Sequence, residues 1–101
     1  MNYIANETQA VLESKTLRIE SRKITENLHL TTVLLQISNT EYCHYAIGVF
    51  SQESGNPSDF RMVDDITRDR TEAYKLFALI VNGGVTPCTL VDVLQDIIGV
   101  E

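Results

Sequence analysis

Residues 42–51 read Tyr-Cys-His-Tyr-Ala-Ile-Gly-Val-Phe-Ser, and this stretch decides the fold that the sequence predicts. In an extended chain, side chains alternate between two faces. Both faces are fairly apolar here: one carries Cys43, Tyr45, Ile47 and Val49, and the other carries Tyr42, His44, Ala46, Gly48 and Phe50. A strand that is apolar on both faces is typical of the interior of a sheet. We therefore expect residues 42–51 to form a central strand.

Two earlier stretches predict strands as well. Residues 28–37 are rich in threonine, valine, isoleucine and leucine, which favour strands. Their apolar phase changes at Thr31 and Thr32, where a β-bulge would restore a single apolar face. Residues 16–21 alternate as a half-buried strand does, although residues 11–17 also fit a short helix.

A fourth strand is predicted after the central one. Residues 60–66 read as an edge-like strand that ends in acidic residues. Residues 38–41, before the central strand, have the chemistry and length of a hairpin loop. Residues 54–58, after it, form the clearest loop of the chain.

The last third of the chain predicts two helices. Asp69 is a good N-cap, and Glu72 is placed to complete a capping box. Residues 82–84, Asn-Gly-Gly, would end this helix because glycine accepts the left-handed conformation of a C-cap. Thr86 and Pro87 would start the second helix. The apolar residues at helical spacing are Ala73, Leu76, Phe77 and Ile80 in the first helix and Leu90, Val93, Leu94, Ile97 and Ile98 in the second.

These patterns predict an α+β fold in a single domain over residues 1–101. Four strands would form an antiparallel meander, and the two C-terminal helices would pack together on one sheet face. Residues 1–10 are polar with little pattern, and we expect them to fray. A chain of 101 residues has no room for a second independent core.

The charge narrows the classes of partner. Lys and Arg number 8 against 14 Asp and Glu, which gives a formal net charge of −6. Such a surface argues against nucleic acid and anionic membranes as partners, because their phosphate groups are also negative. Residues 1–7 lack the basic and apolar regions of a secretion signal, and no apolar run is long enough to span a membrane. We therefore expect a cytoplasmic protein.

Few residues could carry catalytic or metal chemistry. His29 and His44 with Cys43 and Cys88 could in principle bind zinc. Neighbours on a strand point to opposite faces, however, so Cys43 and His44 cannot hold the same ion. We expect no metal site, no cofactor and no catalytic group. Both cysteines are expected to be free and buried, with a disulfide as the less favoured alternative, although the first turn of a helix could make the Cys88 thiol reactive.

One cluster of carboxylates supplies an alternative. Asp64, Asp65, Asp69 and Glu72 lie close together in the sequence, and paired acids can hold Mg²⁺ or share a proton. Three arginines are interleaved with them, so ion pairing and helix capping account for the cluster without catalysis. The alternative is a small ligand-binding protein or enzyme with its site near Asp64, Asp65, Asp69 or Cys88.

Four segments of the second half carry a family resemblance. They are residues 45–49 (Tyr-Ala-Ile-Gly-Val), 63–69 (Val-Asp-Asp-Ile-Thr-Arg-Asp), 84–87 (Gly-Val-Thr-Pro) and 90–98 (Leu-Val-Asp-Val-Leu-Gln-Asp-Ile-Ile). In order and spacing they resemble a family of small bacterial domains of unknown function, found mainly in Gram-positive anaerobes. This chain departs from the family pattern at Gly48, where an acidic residue is frequent, and at Cys88. The resemblance implies an α+β domain of this size and implies no activity.

The expected function is that of a small binding or regulatory module that acts through protein contacts. If the helices cover only one face of the sheet, the other face stays apolar, and exposed patches of that kind mark interfaces. The residues expected at this interface are Tyr42, His44, Ala46, Gly48 and Phe50. The expected partner is a protein, and self-association into a homodimer fits such a surface.

Overall fold

The computed structural model describes residues 13–38 and 41–99, which adopt the predicted α+β fold. Four strands come first: β1 (Glu13–Lys23), β2 (Leu28–Ser38), β3 (Cys43–Glu53) and β4 (Asp59–Thr67). Helix α1 (Arg70–Asn82) follows, and a single 3-10 turn (Pro87–Thr89) leads into helix α2 (Leu90–Ile98). The expected fraying of residues 1–10 and part of the predicted hairpin loop lie outside the described residues.

The four strands form one antiparallel sheet in the order β1-β2-β3-β4. β3 lies in the interior, as its two apolar faces predict, and β4 is an edge strand as predicted. β1 is the other edge. The alternative of a helix over residues 11–17 is wrong for the described residues from Glu13 onward, which belong to β1.

Both helices pack on one face of the sheet, here called the covered face. In an antiparallel pair, residues directly opposite each other share a face, as Leu34 and Ile47 do. Even-numbered residues of β2 and odd-numbered residues of β3 therefore point to the helices. The buried core that results contains Leu30, Leu34, Tyr45, Ile47, Val49, Ile66, Ala73, Leu76, Phe77, Ile80, Val85, Leu90 and Leu94.

The β-bulge predicted at Thr31 and Thr32 is wrong. The pairing of β2 with β3 continues without interruption from Leu28 to Ser38. The change of apolar phase instead reflects a strand that is apolar on both sides, with Leu34 toward the helices and Leu35 away from them. An interior strand has neighbours on both sides, and a spare residue in it would disturb two ladders.

The register shifts occur in the two edge strands. In β1 the shift lies between Thr16 and Arg18. In β4, three residues separate the partners of Tyr45 and Ile47, which are two positions apart in β3. At an edge, a bulge interrupts pairing with only one neighbour.

The start of α1 confirms the predicted N-cap. The Asp69 carboxylate accepts hydrogen bonds from the backbone N–H of Thr71 at 2.9 Å and of Glu72 at 3.4 Å. The reciprocal half of the predicted capping box is replaced, because the N–H of Asp69 donates to Thr67 Oγ1 at 3.1 Å. Beyond the end of the helix, Gly84 adopts the left-handed conformation with φ 60°.

Candidate functional site

The face of the sheet opposite the helices is here called the open face. It is formed by residues of all four strands: Ile19 of β1, Val33, Leu35 and Ile37 of β2, His44, Ala46, Gly48 and Phe50 of β3, and Phe60 and Met62 of β4. No helix of the described part of the chain packs on it, because α1 and α2 both contribute to the core on the covered face. The open face is therefore shielded mainly by its own side chains.

Its exposed apolar surface comes mainly from the two edge strands, with Tyr42 exposed at one end. Ile19 is 58% exposed, Phe60 51% and Met62 42%. Ala46 is 0% exposed although it belongs to this face, because its neighbours stand above it. The predicted interface residues of β3 thus form the floor of the open face more than its outer surface.

Gly48 shows how tightly this floor is packed. A Cβ added at Gly48 would lie 3.0 Å from the Phe60 ring and 3.2 Å from Val33 Cγ2. Glycine in a strand interior often marks a place where another group approaches the backbone closely. Here that group is the ring of Phe60, which lies over Gly48 from the next strand.

One end of the open face carries polar groups. Arg68 places its guanidinium carbon 4.1 Å from the centre of the Tyr42 ring, within the range of a cation–π contact. The Tyr42 ring centre lies 5.9 Å from that of His44. Tyr42 is thus held between a cation and an imidazole at the start of β3.

His44 and Asp64 meet at the same end. His44 Nε2 lies 2.9 Å from Asp64 Oδ1. Neither ring nitrogen of the buried His44 has an aligned hydrogen-bond partner in the described part of the protein. The pair is therefore a close polar contact without an aligned hydrogen bond. Asp64 itself remains more than half exposed to water.

The bulge in β4 positions Asp64. Asp65 is the one described non-glycine residue with a positive φ, at 54°. Aspartate tolerates this left-handed conformation better than most residues. The Asp64 side chain accepts a hydrogen bond from the N–H of Asp65 at 2.8 Å. The extra length of this segment lets Asp64 reach His44 while Ile66 turns into the core.

The alternative site predicted from the carboxylates is only partly assembled. Asp64 and Asp65 stand beside a groove of about 240 Å³ between β4 and α2, whose lining is completed by Val63, Ile66, Val91, Leu94, Gln95 and Ile98. Asp69 is engaged in capping α1. Neither His44 nor Cys88 lines this groove. The groove therefore does not bring a histidine or a thiol together with its two carboxylates.

The cysteines differ from the expectation in their burial. Both are free, as predicted. The expectation that they are buried is wrong: Cys43 is half-buried, and Cys88 is exposed in the 3-10 turn, with its sulfur 3.5 Å from Thr86 Oγ1. A short turn before α2 replaces the first helical turn that was predicted, and it turns the Cys88 side chain outward.

A second groove lies on the covered side of the molecule, between β1 and α1. Its volume is about 360 Å³, and it is lined by Arg18, Glu20, Tyr74, Phe77, Ala78, Val81 and Asn82. The guanidinium carbons of Arg18 and Arg70 lie 5.5 and 5.7 Å from the centre of the Tyr74 ring. Arg22 Nη1 donates to the carbonyl oxygen of Val81 at 2.6 Å. Arginines thus tie the edge strand to α1.

One titratable group on the covered face is perturbed. Burial raises the pKa of the Tyr45 phenol above its ordinary 10.0, and the neighbouring Cys43 thiol adds to the increase. Arg70 opposes this rise. The core therefore favours the neutral phenol.

A cluster of metal-ligating side chains and a helix of membrane-spanning length are both absent from the part of the protein that is described. There, no group of three or more His, Cys, Asp and Glu side chains is placed to share a metal ion. Among the same residues, no helix has the length and apolar character needed to cross a membrane.

One known protein family has a model that matches most of this chain. Over residues 8–100 the sequence matches the model of DUF6514, a family of unknown function. The chain belongs to DUF6514. This match confirms the resemblance to a domain of unknown function and extends it from the second half to β1 and β2. No curated protein and no solved structure matches this DUF6514 chain.

The sequence did not predict the residues that contribute most of the exposed apolar surface of the open face. Ile19, Phe60 and Met62 lie on edge strands whose register the sequence does not reveal. The alternation of Phe60 with Met62 was a usable signal, because both fall on the same side of β4. The contact between His44 and Asp64 gave no such signal, since it depends on the bulge.

Proposed function

We propose that this DUF6514 protein is a self-associating binding module, and that its open face packs against the open face of a second copy. The observation that carries the proposal is the uncovered apolar surface that Ile19, Phe60 and Met62 present across the sheet. Exposed apolar patches of this kind mark interaction sites in soluble proteins.

The chemistry of the open face suits an identical partner. Its rows Val33–Ile37, Ala46–Phe50 and Phe60–Met62 contain no charged residue facing outward. His44 and Asp64 lie at one end of the face, and Lys23 and His29 lie at the other. Antiparallel sheets with apolar faces pack on each other about 10 Å apart and form a sandwich. In a dimer with a two-fold axis, the same surface of each copy packs against its equivalent on the other copy, as in most homodimers.

The size of the open face is close to that of a stable interface. Four strands of 9 to 11 residues, spaced by about 4.8 Å and rising by about 3.3 Å per residue, span on the order of 600 Å² before side-chain relief is added. Stable interfaces bury about 800 Å² per partner. A second copy could therefore cover the open face nearly completely.

The test is the mass of the protein in solution, measured by sedimentation equilibrium. Met62→Lys places a charge on the open face, and Leu79→Lys places the same charge on α1, where Leu79 is 51% exposed. We expect the wild type and Leu79→Lys to have a mass at least twice the 11.4 kDa of one chain. Met62→Lys should halve that mass, because an ammonium group would be buried without a partner.

Two results would contradict this proposal. One is a wild type that stays at the mass of one chain at high concentration. The other is an assembly whose mass Met62→Lys leaves unchanged, which would place the contact elsewhere. The second candidate function, a small ligand-binding protein or enzyme near Asp64 and Asp65, has no further support from the groove described above.

A further inference from the structure

The outer edge of β1 presents a second surface for contacts, which is separate from the open face. No strand of the described residues pairs with its outer edge. It is 11 residues long and contains no proline, so its outward N–H and C=O groups can pair with another strand. Four of the chain's eight Lys and Arg residues also lie in β1, together with two glutamates.

Five of these charged residues share the covered face. They lie opposite alternate residues of β2, with Glu13, Lys15, Arg18, Glu20 and Arg22 facing Ser38, Gln36, Leu34, Thr32 and Leu30. The register shift between Thr16 and Arg18 brings them together. Without the extra residue that this shift adds to β1, the side chains at positions 13 and 15 would lie on the opposite face of the sheet from those at positions 20 and 22. Residues that share a face of a pleated strand also direct their backbone groups to the same edge.

Four of these charges, those at positions 13, 15, 20 and 22, are complementary to themselves when the strand is reversed. If β1 is laid antiparallel to a second β1 with Lys15 opposite Glu20, then Glu13 lies opposite Arg22, and Arg18 lies opposite Leu17 beside the two-fold axis. Two-fold symmetry repeats both pairs, which gives four contacts between opposite charges. Opposite charges directly across a ladder stabilise strand pairing, and like charges destabilise it.

We propose that β1 pairs edge to edge with β1 of a second copy and joins two four-stranded sheets into one sheet of eight strands. The register is Lys15 opposite Glu20 and Glu13 opposite Arg22. Charges on an edge strand commonly prevent indiscriminate pairing. Here the same charges select one partner strand in one register, which is how complementary and repulsive contacts together give specificity.

The surroundings of β1 allow this arrangement. Arg22 donates one hydrogen bond to Val81, and a guanidinium has five donors, so it can also meet a carboxylate of the partner. Lys15 and Glu20 are exposed. The two-fold axis of this pairing is perpendicular to the sheet, so the open faces of both copies lie on the same side and remain accessible.

The experiment uses complementary charge reversals in the Met62→Lys background, where the open face does not associate. Lys15→Glu alone sets carboxylates against each other, and Glu20→Lys alone sets ammonium groups against each other. Each variant should raise the dimer dissociation constant at least about tenfold, because two of the four pairs become repulsive. An equimolar mixture should restore dimers, since every reversed charge then meets an opposite one.

The readouts separate this inference from the proposal for the open face. Sedimentation equilibrium measures the masses, and amide chemical shifts of labelled Lys15→Glu protein, with unlabelled Glu20→Lys protein added, locate the contact. Shifts confined to residues 13–23 and to the adjoining β2 are expected. Lys75→Glu on α1 is the control for the charge change and should associate like its parent.

The inference is overturned if the mixed variants stay monomeric with unchanged shifts, or if Lys15→Glu associates as strongly as its parent. It is also overturned if the Met62→Lys parent is monomeric at high concentration and the outward-facing amide hydrogens of its β1 exchange with solvent as fast as those of an unpaired edge strand. None of these results depends on whether the wild type associates through its open face.

Discussion

The two faces of β3 are both shielded from water, but by different parts of the molecule. On the covered face, Tyr45, Ile47 and Val49 lie under two helices. On the open face, Ala46 and Gly48 lie only under side chains of neighbouring strands, and Phe60 and Met62 remain exposed above them. The core under the helices therefore supplies most of the stability of the monomer, and the open face keeps the exposed apolar surface on which the proposed self-association rests.

The largest expected effect compares two adjacent leucines of β2. Leu34 is fully buried on the covered face, and Leu35 is half-buried on the open face. Leu34→Ala should lower the free energy of unfolding by about 3 kcal/mol, because it leaves a cavity under the helices. Leu35→Ala should cost about 1 kcal/mol, since its surroundings are partly solvated.

Urea unfolding of the two variants at low protein concentration checks this comparison. Low concentration matters because association would add stability to the open face. Equal losses for Leu34→Ala and Leu35→Ala would show that the two faces contribute alike to the monomer, and the division proposed here would be wrong.

A smaller effect concerns two tyrosines on opposite sides of the sheet. Burial raises the pKa of Tyr45, so the stability that its neutral phenol provides is fully present below pH 10. This stability is lost as the pH rises through the raised pKa. Stability should therefore fall at alkaline pH, and Tyr45→Phe should reduce that fall.

Tyr42→Phe is the matched control, because Tyr42 lies at the end of the open face and is 40% exposed. Thermal unfolding at a series of alkaline pH values gives the comparison. If Tyr42→Phe protected against alkali as well as Tyr45→Phe does, the covered face would not be the origin of the alkaline loss.

The sequence predicts the features of this protein that local patterns determine, and it does not predict those that depend on how the strands pair. The alternation in residues 42–51 and the helical spacing after Asp69 specify the elements, because local periodicity reflects burial directly. The bulges could not be placed, since the phase change at Thr31 fits either a bulge or a strand with two apolar faces. The meeting of His44 with Asp64 depends on register and on the conformation of Asp65, which short-range patterns do not encode.

The smallest expected effect concerns His44 on the open face. Its ring nitrogens are buried without hydrogen-bond partners among the described residues, and an unpartnered buried polar group costs stability. His44→Phe should therefore raise the free energy of unfolding by up to about 1 kcal/mol. Asp64→Asn should change it by less than about 0.5 kcal/mol, because Asp64 is largely exposed.

Chemical denaturation of the two variants decides this point. A clear loss of stability in His44→Phe would mean that the imidazole makes a contact stronger than its geometry with Asp64 indicates. The open face would then contribute a polar interaction to the monomer, and the contrast with the covered face would be weaker.

Isotope-filtered nuclear Overhauser spectroscopy on a mixture of labelled and unlabelled wild-type protein shows whether two copies meet through the open face. We expect intermolecular contacts from the Met62 methyl group and the Phe60 ring to open-face side chains of the other copy. Intermolecular contacts found only at other surfaces, or none from Met62 and Phe60 in an assembled sample, would contradict this expectation.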